Sequence, residues 1–293
     1  MEQTNETHPS AVINGVIDAA HIRIGRDVVV EEGAVISGKG TTADRVVLGD
    51  YCYVGHNVRV FAPEFLLGDY SKLHAGSFGH GEHPLRIGRN CWIGGNVVLD
   101  SMAGLDIDDN VGIGGHSQLW THLEFGDIVD GCRFYSRRYM HVRRDAWFVG
   151  HCIVSPVLVG ERSMALVGSV VTREMLPNHV YAGVPAADVT ERMGPQFELL
   201  TPANKAARLQ KIVVHWTDQF PQWRHEIVVI EDPTLRRDDV TWFDVSTRTY
   251  NKRHAAAEVA FLRDHVPLVK FVPEGAPQFF HAAPPDGPNG PQG

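Results

Sequence analysis

Aliphatic residues followed by glycine or a small polar residue recur at steps of six through the first two-thirds of the chain. The series runs Leu48-Gly49, Val54-Gly55; Ile87-Gly88, Ile93-Gly94, Leu99-Asp100; Ile107-Asp108, Ile113-Gly114, Leu119, Phe125-Gly126; Val159-Gly160, Ala165, Val171. A period of six matches neither the turn of an α-helix nor the alternation of a plain strand. It fits a short strand and a turn, repeated. The aliphatic residue then points inward, as does the small residue two places before it (Val111, Ser117, Val157). The glycine, Asn or Asp that follows takes the tight corner, where positive φ is often required. Three such units close a triangular coil of about 18 residues, and coils stack at about the 4.8 Å strand spacing. A Val/Gly-rich β-sandwich also has short strands and frequent turns, but it does not hold phase at six over successive units. The pattern predicts a solenoid.

The rest of the composition limits what that solenoid does. At 293 residues the chain suits two domains. It is 43% hydrophobic and 21% charged, as expected of a soluble globular protein. No run approaches the length of a membrane helix, and MEQTNETHPS lacks the basic start and apolar stretch of a signal peptide, so the expectation is a cytoplasmic protein with no membrane partner. A net charge of −8 argues against a nucleic-acid surface. Cys52, Cys91, Cys132 and Cys152 show no CxxC spacing and read as reduced and mostly packed inside.

Residues 157–186, VLVGERSMALVGSVVTREMLPNHVYAGVPA, resemble the terminal coil and exit segment of the hexapeptide-repeat acyltransferase family, which read approximately I-G-x-x-A-x-I-G-A-G-S-V-V-T-K-D-I-P and then A-G-x-P-A-K. The resemblance covers roughly 11–190. It implies an all-β left-handed parallel β-helix over 11–193, an exception to the usual right-handed crossover. It also implies a homotrimer with an acyl-CoA donor lying between neighbouring solenoids. Carried over by position, Val167, Gly168 and Ser169 would line the pantetheine, and Thr172 with Arg173 would stand near the nucleotide end. The chain departs from the family at Ala187-Asp188, where a cation is usual; Arg192 is the nearest substitute.

His116 and His122 lie six residues apart, one side of the triangle, and so occupy equivalent outward positions on adjacent faces, with Gln118 and Glu124 also outward and Leu123 inward. Three readings stand for them. One imidazole acts as a general base, taking a proton from an acceptor hydroxyl or amine that attacks the thioester and passing it to the thiolate. Alternatively histidines of two subunits hold a metal, as in the γ-class carbonic anhydrases, with His74 of SKLHAG completing the set. That family spaces its paired histidines differently, and no metal is expected here. Thirdly, both are surface or interface residues of a non-catalytic solenoid.

The segment SFGHGEHPLRIGRNCWIGGNVVL (77–99) competes for the base, since it resembles the acyltransferase pattern of a histidine-bearing loop before P-I-x-I-G-x-x-V-W-I-G, and serine acetyltransferases carry a comparable His-Pro. His83 or His80 would then act, with Glu82 or Asp69 as the orienting carboxylate. Counting back from GSVVT lands near His122, so His122 is favoured over His83, subject to how much of 127–150 is looped out. That stretch loses the six-residue phase and mixes Arg133, Arg137, Arg138, Arg143 and Arg144 with Phe134, Tyr135, Tyr139 and Trp147, as either a phosphate-binding element or a solvated strand pair.

Beyond GPQ the period changes. Thr201-Pro202 starts a helix with Leu209, Ile212, Val213, Trp216 and Phe220 on one stripe. EIVVIED, VTWFDVSTRTY and LVKFVP read as strands, and AAAEVAFLRDHV as a helix with Ala255, Val259, Leu262 and Val266 inward. This predicts a small α+β C-terminal domain over 197–273 that caps the solenoid or selects the acceptor, and a Pro/Gly-rich disordered tail over 274–293. The functional expectation is an acetyl-CoA-dependent O- or N-acyltransferase acting on a small, sugar-like or nucleotide-linked acceptor.

Overall fold

The computed structural model describes residues 4–276. They fall into two compact units, 4–197 and 198–276. The disordered tail expected over 274–293 lies, from residue 277 on, outside the described residues.

In the first unit the chain passes through three sheets in turn. Sheet I stacks seven strands from Thr4–Thr7 to Met140–Val142, sheet II ten from Val12–Ile13 to Ala187–Asp188, and sheet III eight from Val16–Ile17 to Val170–Val171. Strands one coil apart pair in parallel, as Leu85 with Leu105, Ile93 with Ile113 and Leu99 with Leu119. Only the last step of sheet II is antiparallel, where Val180–Ala182 meets Ala187–Asp188. The result is a three-sided parallel β-solenoid.

The inward set follows the six-residue rhythm. Val111, Ile113, Ser117 and Leu119 are fully buried, and Leu85, Ile87, Leu105, Ile107, Met140 and Val142 join them in one continuous core. Small polar residues at inward positions find partners in the next coil: the Ser71 hydroxyl donates to the Gly88 carbonyl at 2.6 Å and accepts from the Cys91 amide at 2.9 Å. A buried hydroxyl without such bonds would be costly. Cys52, Cys91 and Cys152 are buried free thiols, and Cys132 is half-buried.

The eighteen-residue coil expected from three equal units is not held. Phe65 pairs with Leu85 and Leu85 with Leu105, a step of 20, whereas Trp147 pairs with Met164, a step of 17. Extra residues collect at the corner between sheets III and I, as in the turn from His80 to Leu85. At each of the other two corners one residue per coil is left-handed: Tyr51, Tyr70, Asn90 and Asn110 between sheets I and II, and Asn57, Gly76, Asn96, His116, His151 and Gly168 between II and III. Gly114 answers a different need. A Cβ there would run into the Val149 carbonyl of the next coil, so only glycine lets the two backbones close.

The longest departure also occurs at the corner between sheets III and I. After Trp120 the chain leaves the coil, forms an antiparallel hairpin of His122–Glu124 with Tyr135–Arg137, and resumes at Met140 opposite Leu105. Residues 140–150, read from the sequence as part of a looped segment, are therefore regular coil, with Trp147 paired to Gly112. Leu123, expected inward, is 57% exposed because the wall it would have joined is built by Met140–Val142.

The second unit contains a four-stranded sheet in the order Ile227–Ile230, Thr241–Asp244, Thr249–Tyr250, Val272–Pro273. With α1 (Thr190–Met193) at the exit of the solenoid, its helices are α2 (Pro202–Gln219) and α3 (Ala256–His265). Thr201 caps α2 by accepting from the Asn204 amide, and Leu209, Val213 and Trp216 are its buried stripe. The buried face of α3 is Ala257, Glu258, Phe261 and Leu262; of the residues expected inward, Leu262 and the following Val266 are buried, whereas Ala255 and Val259 are only half-buried. Glu258 turns inward at the first turn, where its carboxylate accepts from the amides of Arg253 and His254 and closes the helix start from within.

Candidate functional site

Asp100 ends the strand Val98–Asp100 at the corner where the hairpin departs. It is completely buried. Its Oδ2 accepts from the Thr121 amide (2.6 Å), the Thr121 hydroxyl (2.9 Å), the His122 amide (3.1 Å) and His122 Nδ1 (2.7 Å), while Oδ1 accepts from the Met102 amide at 3.0 Å. A carboxylate can only accept, so Nδ1 of His122 carries the hydrogen, and in the neutral ring Nε2 keeps its lone pair. The His122 side chain is 21% exposed. The arrangement thus anchors one ring nitrogen on a buried anion and leaves the side chain partly open to solvent.

Two more histidines bond carboxylates: His141 Nε2 to Asp108 at 2.8 Å and His179 Nδ1 to Asp188 at 2.6 Å. Those carboxylates are 29% and 37% exposed, against 0% for Asp100. Water screens the first two pairs, whereas the attraction between Asp100 and a charged His122 acts at low dielectric.

The hairpin is stapled over this corner by a chain of charges. Lys39 Nζ lies 3.5 Å from Glu82, Arg137 Nη1 lies 3.0 Å from the other oxygen of Glu82, and Arg137 also grips both oxygens of Glu124. The Arg137 hydrogen bonds hold Glu82 and Glu124 below the usual carboxylate range. Where the hairpin returns, the Tyr139 hydroxyl donates to Asp106 at 2.6 Å. Burial, followed by that bond, raises the Tyr139 hydroxyl, and burial raises Asp106 as well.

His80 faces Asp100 from the neighbouring coil, with Nε2 at 4.0 Å from Oδ1 and its ring 6.3 Å from, and nearly perpendicular to, that of His122. His83 stands at the same corner, half-buried, with its amide donating to the Ser101 carbonyl at 3.1 Å. Among the described residues its ring has no hydrogen-bond or ion-pair partner. Of the two carboxylates expected to orient a base, Glu82 is committed to Lys39 and Arg137, and Asp69 accepts from the Asp50 amide. The carboxylate on His122 is Asp100, which the sequence presents as just another corner residue after Leu99. Register alone could have found it, because a twenty-residue step from Asp100 ends beside Thr121-His122.

The three histidines considered for a metal have separate partners within the chain: His74 packs on Trp92 at 4.4 Å, His116 stacks on His151 at 4.9 Å, and His122 bonds Asp100. Among the described residues no group of three or more His, Cys, Asp or Glu is arranged to hold a metal ion. Of the residues expected at the donor, Val167 and Gly168 form the exposed corner between sheets II and III of the last full coil, with Val167 67% exposed. The Ser169 side chain turns inward and donates to the Leu166 carbonyl at 2.7 Å. Thr172 and Arg173 are exposed at the corner between sheets III and I. Among the described residues no helix is long and apolar enough to cross a membrane.

No family model matches the chain. A stretch of 117 residues is 29% identical to galactoside O-acetyltransferase of Escherichia coli strain K12, covering 39% of this chain and 57% of that protein. The chain thus spans little more than half the length of the curated relative it matches. Among solved structures it is similar to UDP-N-acetylglucosamine acyltransferase from Campylobacter jejuni (16% identity, TM-score 0.41, 74% of this chain and 85% of that one). It is also similar to a hexapeptide-repeat acetyltransferase from Vibrio cholerae O1 biovar eltor complexed with acetyl coenzyme A (17% identity, TM-score 0.32, 48% and 68%). The curated relative is by name an acetyltransferase, the kind of enzyme the terminal coil resembles.

Proposed function

We propose that the protein is an acyl-CoA-dependent acyltransferase that moves an acetyl group to the hydroxyl or amine of a small, sugar-like or nucleotide-linked acceptor, with His122 as general base. The observation that carries this reading is the bond of His122 Nδ1 to the buried Asp100 carboxylate at 2.7 Å. Nε2 takes the proton from the acceptor as its oxygen or nitrogen attacks the thioester carbonyl. The C–S bond then breaks, and the imidazolium returns the proton to the departing thiolate, so that the base ends the cycle neutral. Asp100 fixes the tautomer and stabilises the imidazolium between those two transfers. His83 is the weaker candidate, since no carboxylate orients its ring.

For the donor, the resemblance of GSVVT to the family's terminal coil supports a path along Val167 and Gly168 to Thr172 and Arg173. The inward Ser169 hydroxyl would shape that coil, leaving contact with the pantetheine to the backbone. Left-handed winding and trimeric assembly belong to the same reading. In support of assembly, the outer walls carry exposed apolar side chains: Trp92 and Trp147 on sheet II, Phe78 and Ile153 on sheet III. Exposed apolar side chains of this kind are what a neighbouring copy would cover.

The test is a thermal-shift titration with coenzyme A, followed by thiol-release assays of His122→Ala and His83→Ala with acetyl-CoA and an acceptor panel. Stabilisation by coenzyme A and a loss of about 10²-fold or more in His122→Ala only are expected, the range of general acid–base assistance. Full turnover in His122→Ala would remove the proposed base, and no response to coenzyme A would remove the donor.

A further inference from the structure

The carboxylate that anchors His122 has a second imidazole beside it. All four bonds to Oδ2 come from Thr121 and His122, whereas Oδ1 receives one amide and faces His80 Nε2 at 4.0 Å. That distance is too long for a hydrogen bond. His80 is held there from behind, stacked on Phe78 with ring centroids 4.9 Å apart, and Phe78 rests edge-on against Phe61 at 6.1 Å. Asp100 has no solvent exposure although it stands at a corner of the solenoid, and the His80 side chain retains only 22%.

We infer that His80 is a positioning residue of this site: it covers Asp100 Oδ1 as an uncharged ring, keeping water and a second cation off the carboxylate so that its charge is spent on His122 alone. The inference rests on the reading of His122 as the base. Burial is the main reason the ring stays neutral. Burial pushes the His80 imidazole down, Asp100 draws it up, and His122 and Lys39 push it down again. Glu82, the remaining acid beside Lys39, is tied up by Lys39 and Arg137. A protonated His80 would compete with His122 for one anion, and two imidazolium rings 6.3 Å apart would repel each other. Neutrality and shape are therefore the properties this position requires.

Two measurements separate this role from a structural one. The first is an NMR titration of the His80 ring, assigned by difference from His80→Phe, which needs no turnover. His80 should remain unprotonated through the ordinary imidazole value of about 6.5, and its midpoint should rise in His122→Asn, where the competing cation is gone. Titration at or above the ordinary value, or no response to His122→Asn, overturns the inference. The second is the pH profile of thiol release from acetyl-CoA. His80→Ala, which opens Oδ1 to water, and His80→Lys, which places a permanent charge there, should each lose about tenfold in kcat/KM, with the acid limb of His80→Lys displaced to lower pH. His80→Phe should restore most of what His80→Ala loses. If Phe falls as far as Lys, the imidazole itself is needed and the cover role is wrong. Should wild-type protein release no thiol, the acyltransferase reading fails while the NMR arm still decides the state of His80.

Discussion

Replacing Asp100 by asparagine keeps the shape of the side chain and removes its charge. The amide oxygen can occupy only one of the two carboxylate positions. If it stays at Oδ2, it retains the four donors of Thr121 and His122 and turns an NH₂ toward the Met102 amide, donor against donor. The flipped amide would face four donors with its own, so the first orientation wins. Four charge-assisted bonds then become neutral ones of roughly half the strength, and one buried amide loses its acceptor, which together cost about 3–5 kcal/mol. For a unit of this size that lowers Tm by about 10 °C. The kinetic loss has a separate origin. At an effective dielectric of about 20, an imidazolium whose charge centres on the carboxylate at about 4 Å gains about 4 kcal/mol. With the proton half transferred, some 2–3 kcal/mol of that reaches the barrier, a fall of about 10²-fold in kcat/KM. The assay is thiol release from acetyl-CoA at a temperature below both melting transitions. If Asp100→Asn melts as expected but keeps more than about a third of wild-type kcat/KM, the carboxylate is a structural staple and its catalytic role is refuted.

Gly114→Ala should destabilise the solenoid by about 3 kcal/mol or more, measured by chemical denaturation, because its Cβ would meet backbone of the next coil that has no rotamer with which to yield. Arg137→Ala should change stability by no more than about 1 kcal/mol, as expected of a surface pair, yet reduce kcat by loosening the hairpin that begins at His122; an unchanged kcat would dissociate hairpin anchoring from the site. The Asp188 carboxyl is held down to about 2, first by the Thr190 hydroxyl, then by the Thr190 amide and His179. Its folded value lies below the unfolded one, so its contribution to stability is complete above about pH 4 and disappears as pH falls toward 2. Asp188→Asn should flatten the acid limb of a Tm-versus-pH curve within that window only, and an unaltered limb would show that the bonds do not persist in solution.

The solenoid was legible because its core demands one aliphatic residue every six positions, and Val111, Ile113 and Leu119 obey that demand through to full burial. The point where the chain leaves the coil was not. Leu119 and Phe125-Gly126 keep the rhythm across the departure, although Phe125 is fully exposed. What turns the chain aside is a polar interaction: Asp100 takes the amides of Thr121 and His122, which can then no longer serve a ladder in sheet I. A hydrophobic period cannot register that competition. For the same reason His122 was identifiable as a candidate and Asp100 was not, since an aspartate at a coil corner looks alike whether it caps a turn or anchors a base. The first turn of α3 was misjudged through a similar cause, a buried Glu258 bonded to backbone amides, while Leu262 and Val266 face inward as expected.

Leu105 meets Met140 in the same parallel register that joins Leu85 to Leu105, as though nothing had been spliced between them. The excursion therefore starts and finishes one rung apart, and the scaffold makes no claim on its length or wording. A chain built this way can exchange the segment beside the histidine proposed as its base for another without rewinding the rod, so on that reading the choice of acceptor becomes a matter of which insert is plugged into an unchanged frame.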